Sequence, residues 1–274
     1  MPAIGARRES QCQCGAVTGA GNLSNLVYLY LYDNQLSGSI LPQIGNLTNL
    51  VELDISNNSL KGPIPYNVGK FEKLTLLHKN KNQLSGSIPL EIGNLNSLIF
   101  LSLHTNHLSG LIPTSLGSLR NLTILHLYNN RLSGSIPEEL GNLKSITNLE
   151  LSKNQLNGTI PISFGTLSGL EVLYLRDNQI SGPIPHGIGN LMGLTTLLLD
   201  VNYFTSFLPP NLCQSESLQV LRADNNHLTG PIPKTLRNCT NLIKVHLKRN
   251  QLFGNISEDF GVYKKPTVHG PKLQ

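Results

Sequence analysis

The sequence predicts an α/β solenoid, in which short strands and short helical turns alternate and stack along one axis. Three observations indicate this fold: an asparagine recurs every 24 residues, a Leu-x-Leu pattern usually precedes it, and a Leu-x-Gly-x-Ile-Pro pattern usually follows it. Such periods are typical of solenoids, because each repeat can bury its apolar face only against its neighbours. The asparagines are Asn34, Asn58, Asn82, Asn106, Asn130, Asn154, Asn178, Asn202, Asn226 and Asn250.

The Leu-x-Leu half of each repeat predicts a strand. Leu125 and Leu127 alternate with a period of two, so both lie on the buried face of an extended segment. Ten such strands would form one parallel sheet, with strands about 4.8 Å apart. We expect this sheet to line the concave side of a right-handed superhelix.

The recurring asparagine predicts a hydrogen-bonded ladder where each strand ends. A buried turn leaves backbone groups unpaired, which is costly. Because an asparagine amide has both donors and an acceptor, stacked amides can satisfy the turns above and below each one. We therefore interpret these asparagines as structural residues.

The Leu-x-Gly-x-Ile-Pro half predicts an extended stretch followed by a short helical or 3-10 turn on the convex side. Glycine permits unusual backbone angles and proline fixes φ, which favours this path. Residues 91–95, Glu-Ile-Gly-Asn-Leu, are one example of the turn.

Five residues depart from the pattern, and two of them, Leu41 and Ser257, replace the proline of their repeats. Lys79 occupies a strand position that is Leu or Ile in most repeats, and we expect its stem to reach outward or its repeat to be distorted. Ala223 at the equivalent position leaves a void unless its neighbours fill it. Ser206 replaces the glycine of its repeat.

The repeats are expected to cover residues 22–263, in about ten units of 24 residues. Residues 1–21 predict an irregular segment that forms an incomplete cap, and residues 264–274 predict a disordered tail. No apolar run approaches the roughly 18 residues that cross a membrane. The first nine residues also lack the apolar core of a signal peptide.

Composition argues against two classes of protein. The 274 residues are 39% hydrophobic, which is too apolar for a chain kept disordered by charge. The net charge of +5 is spread thinly, and only 5% of residues are aromatic, so nothing suggests binding to a nucleic acid.

Catalytic motifs are absent once the repeat is taken into account. Asp259-Phe260-Gly261 matches a kinase metal-binding tripeptide in letters, but its Phe and Gly fall on repeat positions. His104, His126 and His246 lie on predicted strands without a Cys or carboxylate set that would complete a zinc site. We expect no enzyme activity, no metal and no cofactor.

The Leu-x-Gly-x-Ile-Pro half resembles the plant-specific type of leucine-rich repeat. That type is found in the extracellular domains of plant receptor-like kinases, in receptor-like proteins and in polygalacturonase inhibitors. Residues 211–240 and 254–263 are most similar to the receptor kinases that perceive serine-rich endogenous peptides. The resemblance implies ligand recognition at the outer face of the plasma membrane, with signalling in defence or development.

Such receptors also have a signal peptide, a transmembrane helix and a kinase, so the resemblance implies that this chain is a piece of a longer receptor. It also implies two partners: a secreted peptide or protein ligand, and the ectodomain of a co-receptor kinase. We expect no nucleic-acid partner and no direct membrane contact. The alternative is a secreted inhibitor or scaffold of the polygalacturonase-inhibitor kind.

Candidate ligand contacts are the strand residues that point away from the core, because aromatic and arginine side chains are typical anchors of binding surfaces. The candidates are His78, Asn80, Ser102, His104, His126, Tyr128, Glu150, Tyr174, Arg176, Asp200 and Arg222.

Two further features fit an extracellular protein. Cys213 and Cys239 lie at nearly equivalent positions of adjacent repeats and predict either a disulfide or two buried thiols. Seven asparagines lie in Asn-x-Ser/Thr sequons and are candidate N-glycosylation sites. They are Asn22, Asn46, Asn57, Asn121, Asn157, Asn238 and Asn255.

Overall fold

A computed structural model describes residues 23–254 of the chain. The predicted N-terminal segment 1–21, the tail 264–274 and the last residues of the predicted repeat region lie outside the described residues. So do the sequons at Asn22 and Asn255 and the Asp259-Phe260-Gly261 tripeptide.

The described residues form a solenoid whose main layer is a ten-stranded parallel sheet, which we call the concave sheet. Its strands follow one another in chain order, one per repeat. They are Tyr28–Tyr30, Glu52–Asp54, Leu76–His78, Phe100–Ser102, Ile124–His126, Asn148–Glu150, Val172–Tyr174, Thr196–Leu198, Val220–Arg222 and Lys244–His246.

A second layer of short strands follows each strand of the concave sheet. Six of them form one parallel sheet: Ser37–Ser39, Ser59–Gly62, Gln83–Gly86, His107–Gly110, Arg131–Ser135 and Gln155–Asn157. Two pairs continue this layer: Ser181–Gly182 with Tyr203–Phe204, and Thr229–Pro231 with Gln251–Phe253.

Short 3-10 helices form the third, convex layer, as the glycine and proline pattern predicts. They are Pro42–Asn46, Tyr66–Lys70, Leu90–Asn94, Thr114–Ser118, Glu138–Asn142, Ile162–Thr166, His186–Asn190 and Lys234–Asn238. None of the helices between residues 23 and 254 is both long and apolar enough to cross a lipid bilayer.

Pairing in the concave sheet keeps a constant register of 24 residues. Leu125 lies directly opposite Leu101 on one side and Leu149 on the other. Equivalent residues of successive repeats therefore stack in columns, and the leucine columns are buried except at the two ends of the sheet. The outward positions also form columns, so the chemistry of the concave face changes from repeat to repeat along each column.

The asparagine ladder links each repeat to the one before it. The Asn106 side chain donates to the backbone oxygen of Lys79 in the preceding repeat, at 2.9 Å, and to that of Leu103 in its own repeat, at 3.1 Å. Its oxygen accepts from the backbone N–H of Leu84, at 3.0 Å. The prediction that these amides satisfy buried turns is confirmed.

The residue just before each ladder asparagine has a left-handed backbone, which the sequence analysis did not predict. Ten such residues have φ between 50° and 58°, from Asp33 to Arg249. This region is unfavourable for most side chains, and most of all for β-branched ones. Thr105 and Val201 occupy it nevertheless, at φ 54° and 58°.

The expectation for Lys79 is wrong on both counts. Its side chain is fully buried, its ammonium nitrogen has no hydrogen-bond partner, and its backbone N–H still donates to Ser102 at 2.9 Å. The stem therefore does not reach outward and the sheet is not distorted. Desolvation by burial lowers the pKa of Lys79 from 10.5 to about 7.

We expect the Lys79→Leu variant to be more stable than the parent chain and less dependent on pH. Because the pKa of Lys79 is lower in the folded chain, stability falls as pH drops from about 10.5 to about 7, where only the unfolded chain gains the proton. The loss over this range is about 5 kcal/mol. About 3 kcal/mol of this loss falls between pH 7 and pH 9.5, where urea denaturation of both proteins measures it.

Lys61→Leu is the control, because Lys61 is exposed on the second layer. A parent chain whose stability stays constant across this pH range would contradict the burial of an uncompensated lysine.

Val201→Asn is expected to stabilise the chain by about 1 kcal/mol, because asparagine tolerates the left-handed backbone better than valine. Asn57, Asn129 and Asn225 already occupy the same position in other repeats. The expected change is a rise of about 2–4 °C in melting temperature, measured by calorimetry. Val27→Asn is the matched control, since Val27 and Val201 are similarly exposed, at 37% and 40%, and Val27 has no positive φ. An equal effect of both substitutions would rule out backbone strain as the cause.

Candidate functional site

The eleven candidate residues fall in two outward columns of the concave sheet. The outward side chains form three columns, and six candidates lie in the second of them, each as the last residue of its strand. They are His78, Ser102, His126, Glu150, Tyr174 and Arg222. The other five lie in the third column, two residues further along the chain in each repeat. They are Asn80, His104, Tyr128, Arg176 and Asp200.

Two of these candidates are covered by their neighbours. Ser102 is 3% exposed and Asp200 is fully buried, whereas the other nine are partly exposed. Direct ligand contact is therefore open to the nine, while the Ser102 and Asp200 side chains are covered.

Aromatic and imidazole rings form a central cluster on the concave sheet, made of His78, Phe100, His104, His126 and Tyr128. The His104 and Tyr128 rings stack at 4.2 Å with an angle of 9°. Phe100 meets His78 edge-on at 4.3 Å and His126 at 5.5 Å. Phe100 was not among the eleven candidates, although its place in the first outward column, two residues before Ser102, could have indicated it.

Two imidazoles of the central cluster, those of His104 and His126, are uncharged near neutral pH. Burial lowers the pKa of His104 to about 4, and nearby His126, Lys81 and His78 add to the effect. Burial also lowers the pKa of His126. His104 is fixed by a 3.0 Å contact between its Nδ1 and the Thr105 hydroxyl. The cluster therefore offers half-exposed rings that can stack and hydrogen-bond, and the His104 and His126 rings among them are uncharged.

Glu150 borders the central cluster. Its Oε1 lies 3.7 Å from the Nε2 of His126. Burial raises the pKa of Glu150, and a hydrogen bond with the Asn148 side chain partly opposes this. The pKa values of Tyr128 and Tyr174 are raised by burial and by the Glu150 charge.

A charged network follows in the next repeats. The buried Asp200 carboxylate lies 3.0 Å from the Arg222 guanidinium and 3.4 Å from that of Arg176. Arg176 also pairs with Asp177 at 3.2 Å, and Arg222 with Asp224 at 3.7 Å. These arginines are therefore already paired within the sheet.

At the other end of the described sheet, carboxylates are satisfied locally. The Tyr30 hydroxyl donates to Glu52. Burial alone would raise the pKa of Asp54, but hydrogen bonds with His78 and Ser56 lower it. The Ser56 hydroxyl donates to Asp54 at 2.6 Å, and His78 Nδ1 lies 3.4 Å from the same carboxylate.

The cysteine and glycosylation candidates lie away from the concave sheet. Cys213 and Cys239 are paired as a disulfide, with Cα atoms 5.3 Å apart, and both are buried. The sequon asparagines within the described residues are all exposed, as glycan attachment requires. They are Asn46, Asn57, Asn121, Asn157 and Asn238. Between residues 23 and 254, no group of three or more His, Cys, Asp or Glu side chains is arranged to hold a metal ion.

Comparison with solved structures finds similar folds among plant receptors. The structure of "Plant peptide hormone receptor RGFR1 in complex with RGF2" is 41% identical, with a TM-score of 0.84, over 85% of this chain and 37% of that one. The Arabidopsis receptor kinase HAESA, in complex with the peptide hormone IDA and the co-receptor SERK1, is 33% identical with a TM-score of 0.68. That match covers 85% of this chain and 43% of HAESA, so the chain spans less than half of either receptor structure.

A protein with a different role also has this fold. A plant ice-binding protein is 30% identical with a TM-score of 0.73, over 82% of this chain and 73% of its own. No curated protein sequence matches the chain significantly.

Family models cover most of the repeats. The model described as "Leucine-rich repeat region" matches residues 7–155, which is more than half of the chain. Models described as "Leucine rich repeat" match residues 144–204 and 217–239. The chain therefore belongs to the leucine-rich repeat family, with the plant-type solenoid fold.

Proposed function

We propose that this chain is part of the extracellular ligand-binding domain of a plant receptor-like kinase, and that its concave sheet binds a secreted peptide. The observation that carries the proposal is the central cluster of half-exposed aromatic and imidazole rings on the outward columns. Similar folds that hold peptide hormones support it. The outer face of the plasma membrane, a co-receptor ectodomain and a role in defence or development belong to the same proposal.

The geometry of the sheet suits an extended peptide. Strands about 4.8 Å apart present a new set of side chains with each repeat, and an extended peptide advances about 3.3 Å per residue. Its side chains can therefore contact successive repeats along the columns. The rings of the central cluster supply contact area at low entropic cost, as aromatic anchors of interfaces do.

The alternative of a secreted inhibitor, which would bind a folded enzyme, makes a different demand on the surface. A standard protein–protein interface buries about 800 Å² on each partner and extends well beyond one cluster. A short peptide whose affinity depends on the central cluster alone would favour the receptor hypothesis over the inhibitor hypothesis.

We expect a random 12-residue peptide library, displayed on phage and selected on the 274-residue chain, to yield peptides that bind the central cluster. The triple variant His104→Ala, His126→Ala, Tyr128→Ala should weaken the binding of these peptides by roughly 100-fold, because three ring anchors are truncated together. Calorimetry on synthetic copies of the selected peptides measures the change.

The second layer offers a matched control with the same residue types. His107, Tyr203 and His227 are all exposed there, and the rings of Tyr203 and His227 stack at 5.8 Å. Changing these three to alanine should leave peptide affinity unchanged. Equal affinity for the parent chain and the concave triple variant, with both folded by circular dichroism, would remove the central cluster from the ligand site.

A further inference from the structure

We propose that the concave sheet holds one cationic side chain of the ligand, an arginine or a lysine, with the Glu150 carboxylate as counter-charge and Tyr128 and Tyr174 as aromatic walls. This inference rests on the proposed function, because it names the chemistry of one part of the ligand. The inference is carried by the position of Glu150 in the sheet and by the side chains that surround its carboxylate.

Glu150 lies at the centre of the concave sheet and faces outward. On the adjacent strands its direct neighbours in register are His126 and Tyr174. Its side chain keeps 18% exposure, so a ligand group can reach the carboxylate while water has limited access. Electrostatic contacts are stronger in such a partly desolvated position than on an open surface.

The part of the chain that the structure describes provides no lysine or arginine for this carboxylate. Among the described residues, no lysine or arginine forms an ion pair with Glu150, and the Asn148 amide and the His126 ring are its polar neighbours. His126 Nε2 is buried, makes no hydrogen bond, and lies 3.7 Å away. Since burial lowers the pKa of His126, this ring does not neutralise the carboxylate near pH 7.

Other carboxylates of the sheet have partners that Glu150 lacks. Asp200 lies between two arginines, and Asp224 lies 3.7 Å from Arg222. Glu52 accepts a hydrogen bond from the Tyr30 hydroxyl. Arg176, two residues beyond Tyr174, is already engaged by Asp177 and Asp200. A cation for Glu150 therefore has to come from outside the described chain.

The aromatic walls favour a cationic side chain over a simple ion. Tyr174 is the register neighbour of Glu150, and the Tyr128 ring lies 6.0 Å from that of His126. Burial raises the pKa of both tyrosines, and the Glu150 charge raises it further. A guanidinium or ammonium between such rings gains cation–π attraction while it pairs with the carboxylate.

The test uses small probes, so it does not require the natural ligand. We expect Nα-acetyl-L-arginine methylamide and its lysine counterpart to cause saturable NMR shifts at the His126, Tyr128 and Tyr174 rings, at millimolar concentrations. The uncharged norleucine analogue should bind at least tenfold more weakly, as measured by the same shifts. Glu150→Gln keeps the shape of the side chain and removes its charge. It should weaken the binding of the cationic probes at least tenfold.

Glu52→Gln is the matched control, because it removes the same charge from the same sheet at a site where the carboxylate already has a hydroxyl donor. It should leave the shifts unchanged. Equal shifts from the norleucine and arginine analogues, or unchanged shifts in Glu150→Gln, would overturn the inference. If peptide selection still succeeds in that case, peptide binding stands without the cation site. If the probes bind as expected but selection fails, the cation site stands without peptide binding.

Discussion

The asparagine ladder is the constraint on which the rest of the structure depends. Each amide joins its own turn to the preceding repeat, so every strand must start at the same offset from its neighbour. A constant offset of 24 residues makes equivalent side chains stack in columns. The apolar columns build the core, and the outward columns build the concave face. A ladder shifted by one residue would send the leucines outward, because side chains alternate between the two faces of a strand.

The period in the sequence was sufficient to predict the strands, their register, the convex turns and the columns of candidate contacts. It could not predict which outward side chains their neighbours cover, because that depends on how long side chains lean across the sheet. Ser102 and Asp200 were predicted as contacts for this reason. Asp200 pairs with Arg176 in its own column, and a search for opposite charges 24 residues apart would have found this pair. The burial of Lys79 had no such signal, since a hydrophobic column can enclose a lysine without any change in period.

Membership of the family does not determine what the concave face binds, because that depends on the particular side chains of this chain. The same fold occurs in peptide hormone receptors and in an ice-binding protein, as expected where function lies in sites placed on a shared scaffold. In this chain the informative feature is the contrast between two regions of one sheet. Aromatic and imidazole rings occupy the centre, where burial keeps the His104 ring uncharged. The arginines of the later repeats are instead paired with aspartates.

Such a contrast can exist within one sheet because a solenoid contacts mainly its nearest repeats. In a globular core, a buried carboxylate between two arginines would constrain packing across the whole domain. Here the Asp200 network involves the strands on either side of it, and the stacking of His104 on Tyr128 involves two adjacent repeats. Each region can therefore have its own chemistry without disturbing the ladder. Glu150, which has no lysine or arginine partner among residues 23–254, lies at the boundary between the two regions. The imidazole on one side of it is uncharged, and the arginines on the other side are already engaged.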